Sequence, residues 1–191
     1  MSSQIEDAFQ PGDALTIVDV QNDFCPGGAL PIAAGQEVVP VLNRYIRAAL
    51  TKGLPVYASR DWHPRDHISF KQRGGPWPPH CIQDTEGAQF HPELQLPESV
   101  IKITKGVRFD LDQNSIFHET GLEHELRSKG IVRLWIGGLA EDVCVLASVL
   151  DARRCGFEVV LIANGTKPVS AEGGKRARQQ MHEAGARIEP D

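Results

Sequence analysis

The chain has 191 residues, of which 41% are hydrophobic and 24% charged, so it is long enough to bury a core, and we expect residues 1–191 to form one domain. Its formal net charge of −5, without a dense cluster of lysines and arginines, argues against binding to nucleic acid. No apolar run approaches the length of a membrane span and the N-terminal residues lack the features of a secretory signal, so we expect a cytoplasmic protein that makes no membrane contact and keeps its four cysteines reduced.

The first part of the chain predicts a strand, a helix and a second strand. Residues 14–20 and 54–59 are short apolar runs typical of buried strands. Between them, apolar residues recur at helical spacing over residues 38–49, and Gly53 is a typical residue to end the helix. This unit predicts a right-handed crossover in a parallel sheet. Asp19 then lies near the C-terminal edge of the sheet, where open α/β sheets place their ligand sites.

Residues 60–97 have little periodicity and are rich in proline, glycine, histidine and tryptophan. A structureless segment of this length inside a domain is usually either functional or disordered. Four aromatic residues argue against disorder: Trp62, Phe70, Trp77 and Phe90. We therefore predict that this segment is a ligand-binding loop.

Strands and helices continue to alternate through the second half of the chain. Strands are predicted at residues 100–104, 131–136, 157–162 and 186–188, and helices at residues 122–129, 142–155 and 171–184. Gly137 and Gly138 are expected to end the fourth strand, and Asp142 to cap the helix that follows it. Together the elements predict a three-layer α/β/α fold of Rossmann-like type around a mainly parallel, six-stranded sheet.

The loop contains a candidate metal site. In extended backbone, residues two apart point to the same side, so Asp61 and His63 can converge on one ion, and His80 supplies a second imidazole. One carboxylate and two imidazoles suit one divalent ion, with zinc expected first and iron or manganese as alternatives. His67 is either a further ligand or a partner of the ligands, and a histidine taken alone is more often structural.

Cys144 is the candidate nucleophile. The predicted cap places it in the first turn of a helix, where the helix dipole lowers the pKa of a thiol and unpaired N–H groups can bind an oxyanion. The alternative is a small buried hydrophobic residue, as most free cysteines are. Asp19, Asp61, Lys105 and Cys144 all fall at or beyond the C-terminal ends of predicted strands, which share one edge of a parallel sheet. Their coincidence favours the catalytic interpretation.

Several motifs resemble one enzyme family. They are IVDVQNDF at residues 17–24, GGAL at 27–30, DWH at 61–63, WPPHC at 77–81 and GGLAEDVCV at 137–145. They are similar to the nicotinamidase/pyrazinamidase branch of the isochorismatase-like cysteine hydrolases. After the fifth strand the chain departs from the family pattern at residues 163–168, where an acidic residue and an alanine are expected, and we expect this departure to affect a loop or an interface.

The resemblance implies a role for particular residues. It implies a catalytic triad of Cys144, Asp19 and Lys105, and a metal held by Asp61, His63 and His80, with His67 a ligand only in some relatives. The same likeness implies a cis peptide between Leu139 and Ala140, an oxyanion hole formed by the N–H groups of Ala140 and Cys144, and a substrate site lined by Phe24, Trp77, Leu139 and Ala140.

The resemblance also implies an activity. We expect hydrolysis of nicotinamide to nicotinate and ammonia through a cysteine thioester, with the metal anchoring the pyridine nitrogen, and we expect pyrazinamide to be accepted. Two alternatives remain open: another small-amide or carbamoyl hydrolase of the superfamily, and a catalytically silent, metal-stabilised binding domain. Metal analysis separates nicotinamidase from the first, and the reactivity of Cys144 separates it from the second. Both a monomer and a homo-oligomer are compatible with the sequence.

Overall fold

A computed structural model describes residues 2–189, and its six strands form one sheet. The strands are β1 (Asp13–Val18), β2 (Val56–Asp61), β3 (Ile101–Lys105), β4 (Arg133–Leu139), β5 (Glu158–Lys167) and β6 (Arg187–Glu189). Their order across the sheet is β3-β2-β1-β4-β5-β6, and all neighbouring pairs are parallel. The predicted α/β fold is therefore confirmed, and its sheet is wholly rather than mainly parallel.

Helices cover both faces of this sheet. Within residues 2–189 they are α1 (Ser2–Ala8), α2 (Val38–Thr51), α3 (Leu122–Ser128), α4 (Leu146–Arg154) and α5 (Ala171–Glu183). The sequence patterns do not predict α1, which is short. Alternate residues of β1 supply the two cores, since Leu15 packs with the α2 residues and Val18 packs with α3, α4 and α5. None of the described helices combines the length and the apolar composition that crossing a bilayer requires.

Strand β4 continues through its glycines, so the prediction that they end the strand is wrong. Gly138 pairs with Val18 of β1 and has a φ of +134°. A Cβ atom there would lie 2.0 Å from the carbonyl oxygen of Val18. The glycine therefore permits a close approach of two central strands.

The segment after β4 also differs from the prediction. Residues Glu141–Val145 form a π-helical turn that leads into α4, and Cys144 lies in this turn. Asp142 does not cap the helix, because its carboxylate accepts hydrogen bonds from the N–H groups of Val169 (2.7 Å) and Ser170 (3.4 Å). It thus ties the turn to the connection between β5 and α5.

Candidate active site

The ends of the three strands β1, β2 and β3 bring together the charged side chains. Asp61 and Lys105 are the last residues of their strands and lie in register with each other, while Asp19 directly follows β1. All three side chains are buried. The predicted gathering of these residues at one sheet edge is what a parallel sheet produces.

Lys105 links the two carboxylates and the thiol. Its Nζ lies 2.7 Å from Oδ2 of Asp19, 2.6 Å from Oδ1 of Asp61 and 3.5 Å from Sγ of Cys144. Burial alone would lower the pKa of this ammonium, but the two carboxylates raise it well above its ordinary value. Lys105 is therefore positively charged here, although it is fully buried.

Asp19 and Cys144 are set up as a base and a neutral thiol. Burial raises the pKa of Asp19, against the lowering effect of Lys105. Burial likewise raises the pKa of Cys144 well above its ordinary value, again opposed by Lys105. The expected lowering of this pKa by a helix dipole is not found, because desolvation of the thiolate outweighs it. Ser59, which sequence reasoning missed, donates a 2.7 Å hydrogen bond to Oδ1 of Asp19 and orients the carboxylate.

The backbone beside the nucleophile has the form that the resemblance implies. The peptide bond between Leu139 and Ala140 is cis. Ala140 is extended, and its carbonyl accepts hydrogen bonds from the N–H groups of Val143 and Val145, both at 3.1 Å. These bonds close the turn that carries Cys144.

Three of the predicted metal ligands converge. Asp61, His63 and His80 each offer a ligand atom, and these atoms all lie within 4.8 Å of one another. Nδ1 of His63 lies 2.9 Å from the carbonyl of Gly106, and Nδ1 of His80 lies 2.8 Å from that of Pro78. A carbonyl can only accept, so each Nδ1 carries the proton and each Nε2 keeps its lone pair for an ion. The donor set fits a divalent metal such as zinc.

The charge state of the cluster also suits a metal. Burial opposes ionisation of Asp61, but Lys105 and His63 hold its pKa below the ordinary value. Burial lowers the pKa of His80 and favours the neutral imidazole, whereas at His63 the Asp61 carboxylate outweighs the effect of burial and raises the pKa. An ionised carboxylate and a neutral imidazole are the forms that bind metals.

His67 lies next to this cluster without joining it. Its ring stacks on that of His63, with centroids 4.0 Å apart. Both of its nitrogens have protein partners, since Nδ1 lies 2.7 Å from Oγ of Ser69 and Nε2 lies 3.1 Å from the carbonyl of Leu111. This arrangement supports the interpretation of His67 as a partner of the ligands.

One cavity is lined both by the metal cluster and by the nucleophile. Phe24 and Trp77, both predicted to contact substrate, line it, as do Ala140 and Cys144. Leu139 is fully buried in the sheet rather than in the cavity lining. The mixture of apolar walls with a few polar groups is typical of a site for a small molecule.

Sequence reasoning missed two polar groups beside the nucleophile. Asn114 lines the cavity, with its Oδ1 3.9 Å from Sγ of Cys144. Glu141, in the π-helical turn, is buried and forms an ion pair with the half-exposed Arg178. The sequence holds one indication of the role of Glu141. Its second partner, Thr166, lies within the residues where the chain departs from the family pattern. Residues 163–167 belong to β5, so the departure lies in a strand and not in a loop.

Comparisons with known proteins show the family of the chain. The isochorismatase domain model matches residues 13–189. The nicotinamidase of Escherichia coli strain K12 is 37% identical, over 93% of this chain and 94% of the relative. The crystal structure of pyrazinamidase of Pyrococcus horikoshii in complex with zinc has a TM-score of 0.91 at 44% identity, and covers 95% of this chain and 100% of that chain. The structure of PnC1 from L. infantum in complex with nicotinate has a TM-score of 0.86 at 36% identity, with coverage of 93% and 91%.

Proposed function

Because this chain belongs to the isochorismatase family, we propose that it is a nicotinamidase, which hydrolyses nicotinamide to nicotinate and ammonia and also accepts pyrazinamide. The observation that carries the proposal is the combination of two sites in one cavity. A buried Asp19–Lys105–Cys144 group provides for attack on an amide, and the Asp61, His63 and His80 cluster provides for a metal. A carbamoyl hydrolase would need the first group but would have no use for the second.

The cavity walls fit a pyridine carboxamide. Phe24 and Trp77 offer apolar surfaces to the ring. A divalent metal bound by Asp61, His63 and His80 would supply a Lewis acid that accepts the lone pair of the pyridine nitrogen. A ring held in this way would direct its carboxamide substituent toward Cys144, which lines the same cavity.

The residues of the chain then perform the acyl transfer. Asp19 takes the proton of the Cys144 thiol as the sulfur attacks the carboxamide carbon, and the N–H groups of Ala140 and Cys144 stabilise the oxyanion. Asp19 returns the proton to the leaving nitrogen, and ammonia departs as the thioester forms. Asp19 next removes a proton from the water that attacks the thioester, and it returns that proton to the sulfur as the carbon–sulfur bond breaks and nicotinate leaves.

Lys105 keeps this proton transfer favourable. Without its positive charge, the carboxylates of Asp19 and Asp61 and a developing thiolate would lie side by side in a buried space. The raised pKa of Asp19 makes it a better proton acceptor than an exposed carboxylate, and the transfer neutralises it.

Replacement of the nucleophile tests the proposal. Cys144→Ala should lower the rate of nicotinate formation by at least about 10³-fold, because the covalent step is lost. The variant should still bind nicotinamide, since the ring contacts do not involve the sulfur. Chromatography of nicotinate and calorimetry of binding measure the two effects. Turnover that survived in Cys144→Ala would exclude the covalent route, and a wild-type protein that released no ammonia would exclude the function.

A further inference from the structure

The cavity lining includes a polar pair, Asp112 and Asn114, in the segment between β3 and α3. We propose that Asn114 is a specificity-determining residue that accepts a hydrogen bond from the –NH₂ group of the substrate carboxamide. The proposal rests on the proposed function and adds to it an expected preference for an amide over an ester.

The orientation of the Asn114 amide follows from its neighbours. Its Nδ2 lies 3.4 Å from Oδ2 of Asp112, and its Oδ1 lies 3.9 Å from Sγ of Cys144. A carboxylate oxygen accepts hydrogen bonds, so the NH₂ group of Asn114 must face Asp112. The opposite orientation would put two acceptors together and leave the Asn114 amide without a partner on that side. Asn114 therefore presents a carbonyl oxygen, an acceptor, to the space in front of the thiol.

The backbone on both sides of Asn114 is fixed to the catalytic elements. Oε1 of Gln113 accepts a 3.0 Å hydrogen bond from the N–H of Gly106, the residue after Lys105. On the other side, the N–H of Ile116 donates to Oγ of Ser148 at 3.1 Å, and this hydroxyl donates at 2.6 Å to the carbonyl of Cys144. The acceptor is thus held at a set distance from the nucleophile, which lowers the entropy lost on binding substrate.

A carboxamide carbon under attack has an oxygen on one side and a nitrogen on the other. The oxygen needs donors, and the N–H groups proposed for the oxyanion hole supply them from the π-helical turn. The nitrogen carries hydrogens and needs an acceptor. Oδ1 of Asn114 is such an acceptor, and it lies 3.9 Å from the sulfur that attacks the carboxamide carbon. An ester has no N–H at this position and would place an oxygen lone pair against Oδ1. The pairing therefore selects amide over ester and aligns the carboxamide for attack.

The test compares nicotinamide with methyl nicotinate in wild-type protein and in Asn114→Leu, which keeps the approximate volume of the side chain and removes its acceptor. We expect kcat/KM for nicotinamide to fall by about tenfold or more, since one hydrogen bond to the reacting group is lost. The inhibition constant of methyl nicotinate, measured against nicotinamide, should stay the same or fall, because the ester makes no such bond and its oxygen no longer faces Oδ1. Asn114→Ala serves as the test variant if Asn114→Leu does not fold.

Asn114→Gln is the comparison variant, since it keeps the amide with its acceptor oxygen and its NH₂ donor on a side chain one methylene longer. It should favour nicotinamide over methyl nicotinate more strongly than Asn114→Leu does. Equal changes for amide and ester in Asn114→Leu, or an unchanged kcat/KM for nicotinamide, would overturn the inference. These results are distinct from failure of the proposed function, because that failure appears in the wild-type protein as an absence of ammonia release.

Discussion

At the scale of single residues, the site depends on side chains whose buried charges balance one another. Lys105 is shared between Asp19, the proposed base, and Asp61, a proposed metal ligand. A buried charge without a partner is strongly unfavourable, so each of these residues constrains the others. The nucleophilic half and the metal-binding half of the cavity are consequently joined by one cation.

The histidines of the loop give a residue-scale prediction about metal content. His80→Ala should reduce bound zinc from one ion per chain to well below one, because one of three convergent ligands is lost. His67→Ala is the matched control and should retain about one ion, since both nitrogens of His67 have protein partners. Elemental analysis of the purified variants gives the stoichiometry. Loss of zinc in His67→Ala with retention in His80→Ala would reverse the assignment.

At the scale of elements, the π-helical turn is positioned by the last third of the chain. Glu141 is 1% exposed, and it accepts hydrogen bonds from Nε and Nη2 of Arg178 on α5, each 3.0 Å long. The hydroxyl of Thr166 in β5 also donates to it. With Asp142 bound to the start of the β5–α5 connection, two adjacent residues fix the turn that carries Cys144.

The ion pair of Glu141 gives a prediction about catalysis. Glu141→Gln should lower kcat by about tenfold with little change in KM, because the oxyanion donors lose their alignment while the ring contacts stay in place. Steady-state kinetics with nicotinamide measures both constants. A raised KM with an unchanged kcat would contradict a positioning role.

Asp13→Asn is the control for stability. Asp13 is also 1% exposed and accepts hydrogen bonds from Arg133 (2.8 and 2.7 Å) and from Trp135 (3.0 Å), but it lies at the opposite end of β1 from the site. Loss of either buried carboxylate charge should lower the free energy of unfolding by about 2 kcal/mol, because hydrogen bonds to a charged group are weakened. Only Glu141→Gln should lower kcat, and an equal fall in Asp13→Asn would make stability the cause.

The contrast between predicted and observed elements has physical reasons. Asp61 and His63 were found from sequence because alternation in extended backbone fixes their geometry locally. The π-helical turn could not be predicted from sequence. The pattern of five residues does not distinguish backbone hydrogen bonds between residues five apart, as in a π-helix, from bonds between residues four apart, as in an α-helix. Asn114 lies in a segment without periodicity and meets Cys144 thirty residues later, so only the tertiary structure reveals the contact.

At the scale of the whole molecule, parallel strands explain why so much of the site was predictable. Every strand of such a sheet ends at the same edge, so a list of polar residues at strand ends is already a list of neighbours. The predicted family is confirmed by the match over residues 13–189. The assignment of residues 1–191 to a single domain stays a prediction, as do the roles of the individual site residues.

The most direct measurement is ammonia release from nicotinamide by the protein loaded with zinc, stripped by a chelator, and reloaded with zinc. We expect steady release with nicotinate as the other product, a loss of about 10²-fold or more on stripping, and recovery on reloading, since the metal-binding cluster and the thiol open into one cavity. Circular dichroism of the stripped protein verifies that it remains folded. Absence of ammonia release by the zinc-loaded protein, or full activity of a folded, stripped protein, would contradict the account.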